Sequence, residues 1–283
     1  MRRSGTIAVI LTGLLLLAGC MLLPGKFTSD LALRKDGTFS FAYKGDIHLV
    51  ALSKMAADER NKKDNEAAFE PSTCFEEQSG DERACTADDL AAQKQTWEED
   101  LAASKSSASE KKKSEEAMMK TMLGGIDPSD PRAAQEFADR LRRQSGWKSV
   151  VDKGDGRFEV EFAITGRLDH DFTFPTIEKF PMLTPFVTLV RRTDGTVRVE
   201  APAFSPSATS SPMMGMAAAA ADGKNGAEGM PVLDGVLTLV TDGDILANNT
   251  DEGPAVKGAT KTLVWKVNAR TTSAPTALVR TGP

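Results

Sequence analysis

The chain has 283 residues, with 35 Lys and Arg against 40 Asp and Glu, a formal net charge of -5 at pH 7, and 40% hydrophobic residues. That length is ample for one large domain or two small ones around a real core. The acidic balance excludes nucleic acid as a partner, because a phosphate backbone needs clustered Lys and Arg, and it argues against purely electrostatic docking on anionic lipid.

Arg2 and Arg3 open the chain, residues 7–19 form an apolar core, and small residues precede Cys20. This is the organisation of a removable secretory signal over residues 1–19. The run is too short to span a bilayer, which needs about 20 consecutive apolar residues, and Pro24, Gly25 and Lys26 break it. Leu17-Ala18-Gly19-Cys20 resembles a bacterial lipobox, in which the cysteine thiol is acylated and Cys20 becomes the first mature residue. The alternative is an ordinary signal with an incidental cysteine. The lipobox implies a membrane anchor of several acyl chains, palmitate among them, which hold far more firmly than one chain. Met21 in place of Asp after the cysteine implies, by the same resemblance, sorting to the outer membrane of a diderm cell. Residues 20–26 then form a lipidated tether of at most about 20 Å. Removing Arg2 and Arg3 from the 35 basic residues leaves 33 against 40 acidic, a formal charge of -7.

Alternation begins at Phe27. Residues 27–33 and 38–52 read as two strands joined by the Lys35-Asp36-Gly37 turn, with Phe39, Phe41 and Tyr43 on one face. Residues 53–145 turn to Ala, Lys, Glu, Asp, Ser and Met and read as a helical insertion without strand signals. Thr86 and Asp89 have capping-box spacing, and Leu90, Trp97 and Leu101 share a helical face. Residues 102–116 have so little apolar face that fraying or projection into solvent is expected, and Gly124-Gly125 stops the run. The last helix is better defined: Asp130 caps it, Pro131 suits its first turn, Ala134, Phe137, Ala138 and Leu141 form a stripe, and Gly146 ends it. Cys74 and Cys85, with ten residues between them, are expected to form a disulfide in an oxidising exported compartment. A metal site would want Cys-x-x-Cys spacing or histidines, and His48 and His170 are the two present.

Strands return at 147–152, 157–165 and 168–174, followed by a hairpin of 186–192 and 196–201 around Asp194-Gly195. Residues 205–231 read as a flexible Met/Ala/Gly-rich loop carrying Met213, Met214, Met216 and Met230. Residues 236–241 and 244–249 read as a hairpin through Asp242-Gly243, 263–269 as a closing strand with Trp265, and 276–280 as an edge strand. The expected fold is a single α+β domain over 27–283: an antiparallel β-sheet whose N-terminal hairpin is separated from the remaining strands by the helical insertion. A partly closed barrel is the alternative.

The lipobox, the early GKFTSDL strand with its Asp-Gly turn, and the late DGVLTLVTDGDILANNT followed by LVWKV are similar to the LppM-type domain of bacterial lipoproteins. The resemblance covers the two ends of the chain. It implies a β-rich, non-enzymatic envelope module that contacts lipid or glycolipid, and it transfers no catalytic residue.

Asp169-His170-Asp171 is the one local cluster suggestive of acid/base or metal chemistry. Adjacent strand residues point to opposite faces, so a solvated strand end is the simpler reading. No G-x-S-x-G, H-E-x-x-H or Walker pattern is present. Met213, Met214 and Met216 allow three readings: a flexible linker, a soft copper(I) site without the ordered spacing or histidines to support it, or a contact with bilayer or partner. Trp97, Trp147 and Trp265 read as core anchors, and Lys111, Lys112 and Lys113 as a solvated helix face. The expected function is a lipid-anchored envelope protein that binds lipid, glycolipid or another envelope component, without enzymatic activity, metal or cofactor. The alternative is an assembly accessory docking a protein partner through its charged helices. A hydrolase built on Asp46 and Asp169 is a third reading without motif support.

Overall fold

The computed structural model describes residues 22–53, 69–76, 80–180, 183–205 and 231–282. In chain order its elements are β1 (Leu22–Leu33), β2 (Thr38–Leu49), β3 (Cys74–Phe75), β4 (Glu82–Arg83), α1 (Ala87–Met122), α2 (Ala133–Arg142), β5 (Trp147–Asp152), β6 (Arg157–Arg167) and β7 (Phe172–Phe174). There follow β8 (Val187–Arg191), β9 (Thr196–Glu200), β10 (Asp234–Thr241), β11 (Asp244–Asn248), β12 (Ala255–Lys257), β13 (Thr260–Asn268) and β14 (Thr276–Arg280). The chain divides into two compact units, one drawn from Met1–Ala57 and Met119–Pro283, the other from Asp58–Met118.

The first unit is built from strands that are apolar on one face. In β1 the alternation buries Phe27, Ser29, Leu31 and Leu33 and leaves Lys26, Thr28 and Asp30 in water, the pattern of a sheet with one dry side. The strand begins at Leu22 rather than Phe27, so residues 22–26, expected in the tether, are part of the sheet. Leu22 and Leu23 supply the apolar area that makes this extension favourable. A bulge between Pro24 and Phe27 is matched by Gly45 in β2, whose φ of +151° and close approach to the Lys26 carbonyl, 2.2 Å from where a Cβ would sit, admit glycine alone.

Seven strands form one sheet in the order β12-β13-β10-β1-β2-β6-β5, and five form another in the order β11-β14-β9-β8-β7. Most pairs are antiparallel, and β1 with β10 is parallel, Lys26 opposite Asp234 and Leu33 opposite Thr241. The architecture is α+β with open sheets rather than the partly closed barrel that was the alternative. Aromatic rings join the inner faces: Phe41 and Tyr43 of β2 lie 5.1 and 5.2 Å from Phe174 of β7, and Phe27 stacks on Phe204 at 4.1 Å. Tyr43 is fully buried, its hydroxyl donates to the Asp46 carbonyl at 2.9 Å, and burial pushes its ionisation well above the ordinary value. α2 buries Ala133, Phe137, Ala138 and Leu141, with Phe137 4.9 Å from Phe158 of β6.

Several expected connections differ. β10 and β11 are not hairpin partners: β10 stays in the larger sheet while β11 pairs with β14 in the smaller. Gly243 makes this corner, since a Cβ there would lie 2.6 Å from the Arg280 carbonyl. β14, expected at an edge, lies between β11 and β9, because its alternating Ala277 and Val279 complete the smaller sheet's inner face. The strand expected at 168–174 is reduced to β7, and Asp169 and His170 lie in a bend.

The second unit is mostly α1. Its start is a complete capping box: Asp89 N–H donates to the Thr86 hydroxyl, and Thr86 N–H donates to the Asp89 carboxylate at 2.8 Å. Residues 102–116, expected to fray or to project into solvent, lie within continuous helix and are almost entirely exposed where their side chains are described, which agrees with the second of these. Good helix formers and the Lys94–Glu98 and Lys112–Glu116 pairs assist, although Lys before Glu is the weaker orientation. The insertion does contain strands, the short β3–β4 ladder, which local propensity did not announce. It is pinned by a Cys74–Cys85 disulfide with 5.3 Å between Cα atoms. Residues 119–145, expected in the insertion, belong to the first unit, where Met119 and Met122 pack against the core.

Candidate functional site

The candidate site is a polar cavity of about 440 Å³ at one end of the seven-stranded sheet. Three segments line it: residues 249–252 after β11, residues 264–268 of β13, and residues 270–275 leading into β14. Its foundation is Asn249. The Asn249 side-chain oxygen accepts the Trp265 indole N–H at 2.8 Å and the Thr276 backbone N–H at 2.9 Å, while its amide donates to the Ala274 carbonyl at 2.8 Å. One side chain thus ties all three walls together, and the 7% exposure of Trp265 fills the floor with an apolar body whose single donor is satisfied. Asn268 and Thr271 close the end of β13 by reciprocal bonds, Asn268 N–H to the Thr271 hydroxyl at 2.9 Å and Thr271 N–H to the Asn268 carbonyl at 3.0 Å.

Asp251 and Glu252 contribute negative charge to the cavity, and Lys266 and Arg270 positive charge; all four are exposed. None joins an ion pair among the described residues. Ser273, Thr271 and Thr272 add hydroxyls. The site suits recognition by hydrogen bonds and charge. The cavity lies level with the beginning of β1, because Lys26 pairs with Asp234 and Asp234 with Asn268.

Of the residues singled out from sequence, Cys20, Met213, Met214 and Met216 lie outside the described residues, as does the 1–19 segment. Cys74 and Cys85 are bonded to each other. The Asp169-His170-Asp171 cluster does not converge: Asp171 accepts the Arg191 backbone N–H at 2.9 Å, and Asp169 lies 3.9 Å from Arg167. Asp46 is far from it, opposite Glu159 near the beginning of β6 and 3.5 Å from Arg157, whereas Asp169 follows that strand's end. At roughly 3.3 Å per residue the two carboxylates are about 30 Å apart along β6, so the carboxylate pair of the hydrolase reading does not exist. Among the described residues no group of three or more His, Cys, Asp or Glu is placed to hold a metal ion. Trp147 is a core anchor, 5.3 Å from Phe162, and Trp97 packs on Phe69 at 5.7 Å.

Sequence reading missed Asn249 and the cavity around it. The available signal was two opposite charge pairs flanking a Trp strand, which alternation alone cannot bring together. No helix among the described residues is long and apolar enough to cross a membrane. Neither a protein-family model nor a curated protein matches the chain. An NMR structure of the folded domain of LppM from Mycobacterium tuberculosis aligns with 91% of this chain and 90% of that one, at 12% identity and a TM-score of 0.31.

Proposed function

We propose that this protein is a lipid-anchored, non-enzymatic binding module of the bacterial envelope that engages an envelope component at the membrane surface. The observation that carries the reading is the position of Leu22. It is fully buried in the sheet unit's core two residues after Cys20, so acyl chains on Cys20 hold the folded body against the bilayer without a leash. The polar cavity opens at the same end of the sheet, facing the layer where lipid headgroups, glycolipids and envelope proteins are met. The described residues flanking the Met-rich segment lie there too: Phe204 stacks on Phe27, and Pro231 shortly precedes Asp234. A membrane or partner contact through Met213, Met214 and Met216, which lie outside the described residues, is kept as part of this reading.

Docking through the charged helices has less support. On α1 Lys94–Glu98 and Lys112–Glu116 pair within the helix, and Lys111, Lys112 and Lys113 stand beside Glu110 and Glu116 in sequence, which lowers the field that the Lys run offers a partner.

The test is expression in a diderm bacterium fed an alkyne-bearing palmitate. Wild type is expected to carry the label, to begin at Cys20 by mass spectrometry, and to sediment with membranes; Cys20→Ala loses the label. A mature chain that begins elsewhere, or a wild type without acyl label, refutes the anchor. Outer-membrane sorting, which rests on Met21, is read from the same cells by density-gradient separation.

A further inference from the structure

The edges of the two sheets are not equally protected. On β5 the Val150 carbonyl, which would otherwise face outward, is occupied by the Arg142 guanidinium, Nε at 3.2 Å and Nη2 at 3.0 Å. On β11 a register break between Ile245 and Ala247 interrupts the ladder. Both are familiar ways of blunting a strand edge. β13 is different, because β12 pairs with its first three residues only, Ala255 opposite Thr262 through Lys257 opposite Thr260.

Backbone direction beyond that point follows from the ladder. Asn268 directs its N–H and C=O to Thr271 and away from β10, and backbone groups two residues apart on a strand face the same way. Lys266 and Val264 therefore turn their N–H and C=O groups outward, where no hydrogen bond meets them among the described residues. Val264 is 45% exposed. These four groups lie along the wall of the 440 Å³ cavity, between the 249–252 and 270–275 segments.

We propose that residues 263–267 are a docking edge for an extended polypeptide segment of a partner protein, which continues the row that β12 begins. The open ladder selects an extended backbone. The flanking segments select a slender occupant, a single peptide, over the edge of a second folded copy. Asp251 and Glu252 with Lys266 and Arg270 select a segment carrying both a basic and an acidic side chain. The inference rests on the binding part of the function proposed above and is independent of the acyl anchor.

The experiment pans phage-displayed random nonapeptides on the full-length, detergent-extracted protein, then measures the enriched sequences as free peptides. Expected are micromolar binders that contain both charges and slow hydrogen exchange at the Val264 and Lys266 amides. Val264→Pro removes one outward N–H without touching the β10 ladder and is expected to weaken binding about tenfold. Asp251→Asn with Glu252→Gln, which leaves the backbone intact, is expected to weaken it severalfold if Val264→Pro does not fold. Absence of enrichment, or enriched peptides that bind these variants as tightly as wild type, overturns the proposal. So does a wild-type dimer by light scattering that Val264→Pro dissolves, which assigns the edge to a second copy, or peptide displacement by phosphatidylglycerol vesicles with no exchange slowing at β13, which assigns the cavity to headgroups. Loss of palmitate label in the separate Cys20 experiment leaves this result untouched, and the converse also holds.

Discussion

In the double-sheet unit, rings from three strands and two connecting segments meet inside: Phe41, Tyr43, Phe162, Phe174, Phe186 and Phe204 form a continuous series of contacts. The unit drawn from Asp58–Met118 has Phe69 on Trp97 as its aromatic contact among the described residues, and Leu90 is 36% exposed. It holds its local order through the Cys74–Cys85 bond, the Thr86–Asp89 box and the Arg83–Asp89 pair. Burial needs two apolar faces that can meet. A helix rich in Lys, Glu and Ser offers no such face, so a covalent link and a well-satisfied helix start take over.

The contrast predicts different failures. Phe41→Ala removes a side chain that is 1% exposed and is expected to destabilise the sheet unit by about 3–5 kcal/mol, read as a lower midpoint in urea by tryptophan fluorescence. Replacing Cys74 and Cys85 by Ser is expected to remove roughly 3 kcal/mol within the smaller unit alone. The measurement is faster exchange of the Glu76 and Gly80 amides, which bond to Asp81 and Glu76. Should this double variant lower the urea midpoint of the sheet unit as much as Phe41→Ala does, the contrast between the units fails.

The smallest effect concerns pH. The Arg83 guanidinium, followed by the Thr86 N–H and hydroxyl, holds the Asp89 carboxyl well below its ordinary value of 3.8. A depressed carboxylate stabilises the fold above that value and loses its contribution as the pH falls below it. Helix signal by circular dichroism is expected to decline between about pH 4 and pH 2, and Asp89→Asn flattens that part of the profile. An unchanged profile removes Asp89 from the account of the helix start.

Much of this was legible locally. The β1–β2 turn, the alternation of Phe158, Val160 and Phe162, the capping box and the Cys74–Cys85 pair each depend on neighbouring residues whose chemistry is explicit. The β3–β4 ladder was not legible, because two-residue strands held by a disulfide carry no periodicity. Asp242-Gly243 has the sequence of a hairpin turn yet makes a corner between sheets, because the same dipeptide serves both equally well. The candidate site was hidden for a related reason: Asn249, Trp265 and Thr276 come from three separate elements, and no spacing rule relates them.

By itself, therefore, the sequence determined the class of most segments, the polarity of the strand faces and the residues able to form the disulfide, all properties of periods of two to four residues. Only the tertiary structure decided that β1 lies parallel to the distant β10, that β14 enters the middle of the smaller sheet, and that the outer edge of β13 beyond Thr262 meets no strand among the described residues. Those outcomes depend on which apolar faces bury the most area together, a sum over the whole unit that no local stretch contains.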